Sequence, residues 1–276
     1  MTIGVIGQGY VGSAIKLGFQ DHYNVLTYDK FDLAKSTHPK ISDLVEETKV
    51  IFVCVPTPMR KDGTCYTGIV EEVIREINET ATDHIVVIKS TIPPGTTDRI
   101  NQEYTHSTVI FNPEFLTEEN FLEDFKNQKR IILGGDRKGT NKLRQIYSKV
   151  FPHATIVKTG SNTAEMVKYF TNNFLATKVS FANEMYSVCE QIGIDYDKVV
   201  EYAIYDERLG KSHWAVPGPD GDFGYGGHCL PKDLSAIVNQ FETYGLLEAV
   251  ENVNDQVREN RDWEHMVGRA VLEEDE

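Results

Sequence analysis

Short apolar runs alternate with longer amphipathic stretches through the first half of the chain. The runs fall at 2–6, 24–28, 50–55, 84–88, 108–111, 130–133 and 155–157, rich in Val, Ile, Leu or Phe. Most are near-continuously apolar rather than alternating, as in Val86-Val87-Ile88, which predicts strands of a parallel sheet covered on both faces. Helix-period segments at 11–19, 69–77 and 141–150 separate several of them. Strand and helix in alternation predict an α/β domain, placed at residues 1–157.

The strand rhythm stops there, and residues 158–276 read as all helical. Ser161 suits an N-cap, and apolar positions then recur at Met166, Phe170, Phe174, Phe181, Met185 and Val188 until Gly193 ends the run. About 30 residues at a rise of about 1.5 Å make a helix roughly 45 Å long. Further helices are expected at 197–205, 234–244 and 246–272, with a loop rich in Gly and Pro at 213–231. The acidic residues 273–276 read as a frayed end.

With 40% hydrophobic and 25% charged residues over 276 positions, the chain has the material for a folded core. No run reaches the roughly 18 apolar residues of a membrane span. The N-terminus lacks a basic segment and a cleavage site, so no secretory signal is expected and a cytoplasmic location is. A net charge of −14 argues against nucleic acid and anionic membranes as partners, but not against a small anion held by backbone N–H groups. Cys54, Cys65, Cys189 and Cys229 show neither CxxC pairing nor zinc spacing, so reduced thiols and no metal are expected.

Gly7-Gln8-Gly9-Tyr10-Val11-Gly12 follows the first strand and opens the first helix. In that context Gly7 permits a tight turn, Gly9 a close approach of pyrophosphate, and Gly12 close helix–strand packing. Asp29 ends the second strand, where a carboxylate binds ribose hydroxyls and repels a 2′-phosphate, favouring NAD over NADP. The N-terminal domain is thus expected to be Rossmann-like. Two further segments lie at carboxyl ends of strands, Val55-Pro56-Thr57-Pro58 and Ser90-Thr91-Ile92-Pro93-Pro94-Gly95-Thr96. They read equally well as ligand loops or as ordinary strand-to-helix punctuation.

Asn112-Pro113-Glu114-Phe115-Leu116-Thr117-Glu118 follows the fifth strand, and its two carboxylates share a face if it turns helically. Taken alone, a solvated acidic loop is the better reading. Lys168 and Asn172 are one turn apart on the long helix; the lysine is either a snorkelling side chain or a desolvated one needing an anion. In Phe223-Gly224-Tyr225-Gly226-Gly227-His228-Cys229-Leu230-Pro231-Lys232-Asp233, three glycines leave one cysteine approachable. A nearby ammonium and a helix start would favour its thiolate. Cys54, Cys65 and Cys189 fit packing roles better.

The strings GQGYVG, VPTP, STIPPGT, NPEFL, AEMVKYFTNNFLATKVSFANE and GYGGHCLPKD occur in this order over nearly the whole chain. Together they resemble the UDP-glucose/GDP-mannose dehydrogenase family. NPEFL followed by Thr-Glu-Glu is similar to its UDP-glucose and GDP-mannose branches, and GYGG leans toward UDP-glucose. The resemblance implies a four-electron oxidation of a nucleotide sugar's C6 alcohol to a carboxylate with two NAD. It makes Cys229 the nucleophile, Lys168 and Asn172 the oxyanion donors, Asp233 the acid orienting water or Lys168, and Glu114 the base. Glu118 and Thr91 are implied as supporting polar groups.

Cofactor contacts are implied for Gly7, Gly9, Tyr10, Val11, Gly12, Asp29, Lys30, Thr57, Thr91 and Lys232. Substrate contacts are implied for Glu114, Phe115, Leu116, Lys168, Asn172, Arg208, Tyr225 and Gly226. A homodimer built on the long helix is implied, with Arg208 reaching the partner's substrate. The family also implies a third, nucleotide-binding domain, whereas this chain stops in the helix expected to lead to it, and its loop at 216–222 is longer than in many members. Two other readings stand beside this one: a two-electron hydroxyacid dehydrogenase, and an NAD-binding protein that needs a partner chain. The first has no use for Cys229, and the second none for an exposed thiol.

Overall fold

The computed structural model describes residues 1–273; positions 274–276, most of the expected frayed end, lie outside the described residues. Two compact units divide the chain: residues 1–57 with 67–168, and residues 58–66 with 169–276. The boundary therefore falls inside the long helix, about a dozen residues after the sequence-based boundary at 157. The reason is local. Ala164 and Val167 pack into the core of the first unit. Glu165 is fully buried and accepts the N–H groups of Gly95 (2.7 Å) and Thr97 (2.8 Å), which ties the start of the helix to that unit.

The first unit runs β1 (Thr2–Ile6), α1 (Tyr10–Phe19), β2 (Asn24–Tyr28), α2 (Ile41–Glu47), β3 (Val50–Val53), α3 (Gly68–Thr80), β4 (His84–Ile88) and α4 (Thr96–Glu103). It continues through β5 (Ser107–Phe111), α5 (Phe121–Lys126), β6 (Arg130–Gly134), α6 (Arg137–Val150) and β7 (Thr155–Thr159). The sheet has seven strands in the order β2-β1-β3-β4-β5-β6-β7. All pairings are parallel except β5 with β6, which meet antiparallel at Phe111 and Gly134. The expected all-parallel sheet is thus broken once. The link from β5 to β6 carries only the short α5 and does not cross back over the sheet.

Adjacent strand residues point to opposite faces, and both faces are covered. On one face Ile51, Val53, Val86, Ile88, Val109 and Phe111 pack with Leu44, Val70, Ile74 and Ile100. On the other, Phe52, Val87, Ile110 and Leu133 pack with Ile15, Phe19, Leu143 and Tyr147. This is why the strands read as continuous apolar runs.

The second unit takes most of α7 (Ser161–Ile192), then α8 (Tyr196–Ala203), α9 (Cys229–Gln240) and α10 (Leu246–Val257). Gly160, not Ser161, receives the first helical bond of α7, from Ala164 N (3.1 Å). The final helix stops at Val257 rather than running to 272. There the Arg258 side chain turns inward, 1% exposed, onto Asp220, Asp222 and Asp262. The chain then forms a short 3-10 turn, Asp262–His265, and returns to the segment 58–66. Met59 N donates to Ala270 O (2.8 Å), and Leu272 N donates to Met59 O (2.8 Å). Nothing in the hydropathy pattern marks 58–66 as belonging with the C-terminal half.

The aromatic stripe of α7 faces outward. Met166 is 42% exposed, Phe170 72%, Phe174 57% and Phe181 52%. The buried side instead carries small and polar residues, among them Ala176, Ala182, Asn172, Asn173, Lys178, Ser180 and Asn183.

Candidate active site

The glycine turn after β1 fits the close approach that its sequence predicts. Gly7 has φ +88°, and a Cβ there would meet Cys54 O at 2.5 Å. A Cβ on Gly12 would lie 1.8 Å from Gly7 O, whereas at Gly9 nothing lies within 4 Å. No side chain caps the N-terminus of α1, so its N–H groups are available to a phosphate. The Asp29 carboxylate is fixed beside this turn. Its Oδ2 accepts Gln8 N (2.6 Å), and its Oδ1 accepts Phe31 N (3.0 Å) and Asp32 N (2.9 Å). Open space at Gly9, an uncapped helix end and a carboxylate at the next strand form a set of groups suited to a dinucleotide. Tyr10 and Lys30 are exposed, Val11 and Thr91 half-buried and Thr57 buried.

Past β5 the same unit builds a compact ionic cluster. Lys168 Nζ donates to Glu114 O (2.9 Å) and Oε1 (3.0 Å), with the two side chains 4% and 12% exposed. Glu114 Oε2 accepts Leu116 N (2.7 Å). The Phe115 ring lies under Arg130 (4.2 Å) and Lys168 (5.6 Å). The lysine is therefore buried against an anion rather than snorkelling. Glu118 is half-buried, while Glu119 and Glu123 are exposed.

Two members of this neighbourhood escaped the sequence reading. Lys89 is 5% exposed and donates to Asn112 Oδ1 (3.1 Å) and Pro113 O (3.4 Å). Burial pulls its ammonium down to about 8, with Glu114 and Cys54 opposing and Lys168 reinforcing the shift. The only hint in the sequence is a cation placed directly after an apolar strand. Glu165, buried on Gly95 and Thr97, also accepts Thr97 Oγ1 (2.6 Å) and so caps α4.

In the second unit Cys229 is the first residue of α9, half-buried, with its Sγ 3.5 Å from His228 Nε2. Lys232 and Asp233 follow within the same turn, 4% and 0% exposed. Lys232 Nζ donates to Asp233 Oδ1 (2.5 Å), and Asn172 Nδ2 donates to Asp233 Oδ2 (2.6 Å). Burial works against the Lys232 ammonium, but Asp233, Cys65 and Cys229 outweigh it and push its pKa above the ordinary value. A charged lysine thus lies one turn from Cys229, at a helix N-terminus.

The glycines before the cysteine have a second reason to be there. A Cβ on Gly224 would meet Asn254 Oδ1 at 2.3 Å, and one on Gly226 would meet Arg258 Nη2 at 2.1 Å. Gly227 has φ +70°, and its N–H donates to Asp262 Oδ2 (3.0 Å). The loop is thus moulded onto α10 and the turn after it. Tyr225 is not presented outward. It is 5% exposed, packed with Ala176, Leu234 and Val250, and its peptide is bonded to Asn254. Arg208 is exposed and paired with its neighbour Asp206.

Residues 30–151 match the UDP-glucose/GDP-mannose dehydrogenase family's NAD binding domain, and 162–256 its central domain. The UDP-glucose 6-dehydrogenase AglM of Haloferax volcanii is 31% identical over 304 residues, covering 92% of this chain and 70% of that protein. TuaD of Bacillus subtilis, also named a UDP-glucose 6-dehydrogenase, is 30% identical, with 93% of this chain and 63% of that one covered. Among solved structures, a UDP-glucose dehydrogenase from Pyrobaculum islandicum superposes with a TM-score of 0.84 at 30% identity, over 92% of this chain and 68% of that one. The chain belongs to the UDP-glucose/GDP-mannose dehydrogenase family, a class of NAD-dependent nucleotide-sugar dehydrogenases. NAD is its cofactor. It spans between 63% and 70% of the length of the three relatives just described.

Proposed function

We propose that this chain oxidises the C6 alcohol of UDP-glucose to the carboxylate through a cysteine-bound intermediate. The observation that carries the reading is Cys229 at the start of α9, one turn from a charged Lys232 and from Asp233. NAD, when bound, supplies the hydride acceptor for both oxidations, and Gly7, Gly9, Tyr10, Val11, Gly12, Asp29, Lys30, Thr57, Thr91 and Lys232 are the residues proposed to hold it.

Glu114, paired with Lys168, takes the proton of the C6 hydroxyl directly or through water, with Glu118 and Thr91 in support. The Cys229 thiolate adds to the aldehyde carbon, giving a thiohemiacetal and, at the acid level, a thioester. Lys168 and Asn172 donate to the oxygen that gains charge, where one such donor is worth about 100- to 1,000-fold in rate. Asp233, fixed by Lys232 and Asn172, orients the water that opens the thioester. Phe115, Leu116, Tyr225 and Gly226 are proposed as substrate contacts, Tyr225 through its backbone because its ring is buried.

The outward aromatic stripe of α7 supports a homodimer through that helix, since apolar patches of this kind mark interfaces. Arg208, exposed and paired among the described residues with Asp206 of its own turn, is proposed to reach the other subunit's substrate. A cytoplasmic location is consistent with the reading; among the described residues no helix is long and apolar enough to cross a membrane. The second reading is another nucleotide sugar, GDP-mannose first. Purified protein incubated with NAD and each sugar in turn tests both: NADH and a uronic acid from UDP-glucose support the first, and turnover of GDP-mannose alone the second.

A further inference from the structure

The chemistry above uses Glu114 and Lys168 but leaves a third buried ionisable group beside them without a task. Lys89 follows β4 directly, and its Nζ donates to Asn112 Oδ1 and to Pro113 O. The same Asn112 oxygen accepts Tyr147 OH, and Asn112 Nδ2 donates to Ile132 O (2.8 Å). Asn112 is thus held from three sides, and Pro113 joins it to Glu114.

A buried ammonium carries a large desolvation cost, and a neutral amide would anchor the same two carbonyls for less. What a cation adds is its field. The groups facing Lys89 are Cys54 from the end of β3, Glu114 after β5, Tyr147 from α6 and Lys168 from α7. Burial pushes the Cys54 thiol up to about 12 and raises the Tyr147 phenol as well, so both are neutral near pH 7. Lys89 and Lys168 therefore both act on Glu114, one through the turn before it and one by direct contact.

We propose that Lys89 is a positioning residue: a buried cation that fixes the turn through Asn112 and Pro113 and thereby sets where Glu114 stands against Lys168. The inference rests on Glu114 and Lys168 belonging to the reacting site. Lys89 itself touches neither substrate nor cofactor in this reading. When its ammonium becomes an amine, the hydrogen bonds to Asn112 and Pro113 survive but the charge that Glu114 answers is lost.

The test compares Lys89→Met, Lys89→Gln and Tyr147→Phe in the full chain, with NAD affinity as the check on folding. One readout needs no turnover: amide hydrogen exchange across 112–116 with NAD bound. Lys89→Met is expected to speed that exchange about tenfold or more, because a local anchor is gone. It is expected to lower kcat roughly tenfold to 100-fold with little change in KM, the effect of a reacting group displaced by about 1 Å. Lys89→Gln keeps a donor, so exchange partly recovers. It lacks, however, the fall in kcat near pH 8 that the wild type and Tyr147→Phe both show.

Exchange and kcat in Lys89→Met equal to the wild type overturn the proposal. So does an unchanged pH profile in Lys89→Gln, which also decides the matter if Lys89→Met fails to fold. Altered exchange in a chain that turns over neither sugar upholds the positioning role and rejects the proposed activity instead.

Discussion

A nucleophilic thiol must be reachable, and Cys229 is proposed for that part. It is half-buried at a helix start, and the charged Lys232 lies one turn along. Replacing it tests its role without touching the cofactor unit. Cys229→Ala is expected to lower acid formation by about 1,000-fold or more while NAD affinity stays unchanged; uronic acid formed at the wild-type rate contradicts the thioester route. Asp29 is tested the opposite way. Asp29→Ala removes a carboxylate proposed to hold ribose hydroxyls, and charged hydrogen bonds of about 1.5–3 kcal/mol predict at least a tenfold weaker NAD by calorimetry. Unchanged NAD affinity rejects the ribose role.

Lys89 leaves a mark on stability as well. Burial lowers its pKa from the ordinary lysine value of 10.5 to about 8 in the folded chain. The unfolded chain therefore binds more protons between those values, so the unfolding free energy contributed by this group rises with pH across that window. Lys89→Met should flatten the rise in urea titrations at pH 8 to 10.5, and an unaltered slope rejects the buried-cation assignment. Lys168 with Asn172, and Cys229 with Asp233, could be singled out as candidates because close spacing along the chain carries each pair. Lys89 and Glu165 were not. Their meaning comes from Asn112 and Thr97, which stand 23 and 68 residues away.

Single elements show where hydropathy informs and where it misleads. β1, β2 and β4 occupy the ranges their apolar runs predicted; in β1 and β4 the consecutive apolar residues reflect cover on both faces. On α7 the periodicity was legible but its direction was not. The helix buries Ala176, Ala182, Asn172 and Asn183, and it turns Phe170, Phe174 and Phe181 outward. An apolar stripe reports burial against something, and the sequence does not say whether that is the same chain. α10 ended early for a reason of the same kind, since Arg258 reads as a surface residue until Asp220, Asp222 and Asp262 surround it. The stripe yields a prediction at this scale. Wild-type protein should have the mass of a dimer by light scattering, and Phe170→Asp with Phe174→Asp should convert it to monomer with its helix content intact. A wild-type monomer, or a double variant still dimeric, removes α7 as the interface.

Over the whole molecule, the two-part architecture was readable, but the partition was not. Strand rhythm placed the boundary at 157, whereas α7 belongs to both units and 58–66 joins the second. Only long-range pairings such as Met59 with Ala270 and Leu272 reveal that exchange. The contacts proposed for chemistry join residues of the same unit: Lys168 with Glu114 in the first, and Lys232 and Asn172 with Asp233 in the second. This chain also spans about two thirds of the length of its relatives. The central claim is therefore that these 276 residues carry out a four-electron oxidation. The most direct test is the ratio of NADH formed to UDP-glucose consumed by the purified chain. Two NADH per sugar, with UDP-glucuronate as the product, is the expected result. One NADH per sugar with an aldehyde released, or no NADH from a chain that binds NAD, contradicts it.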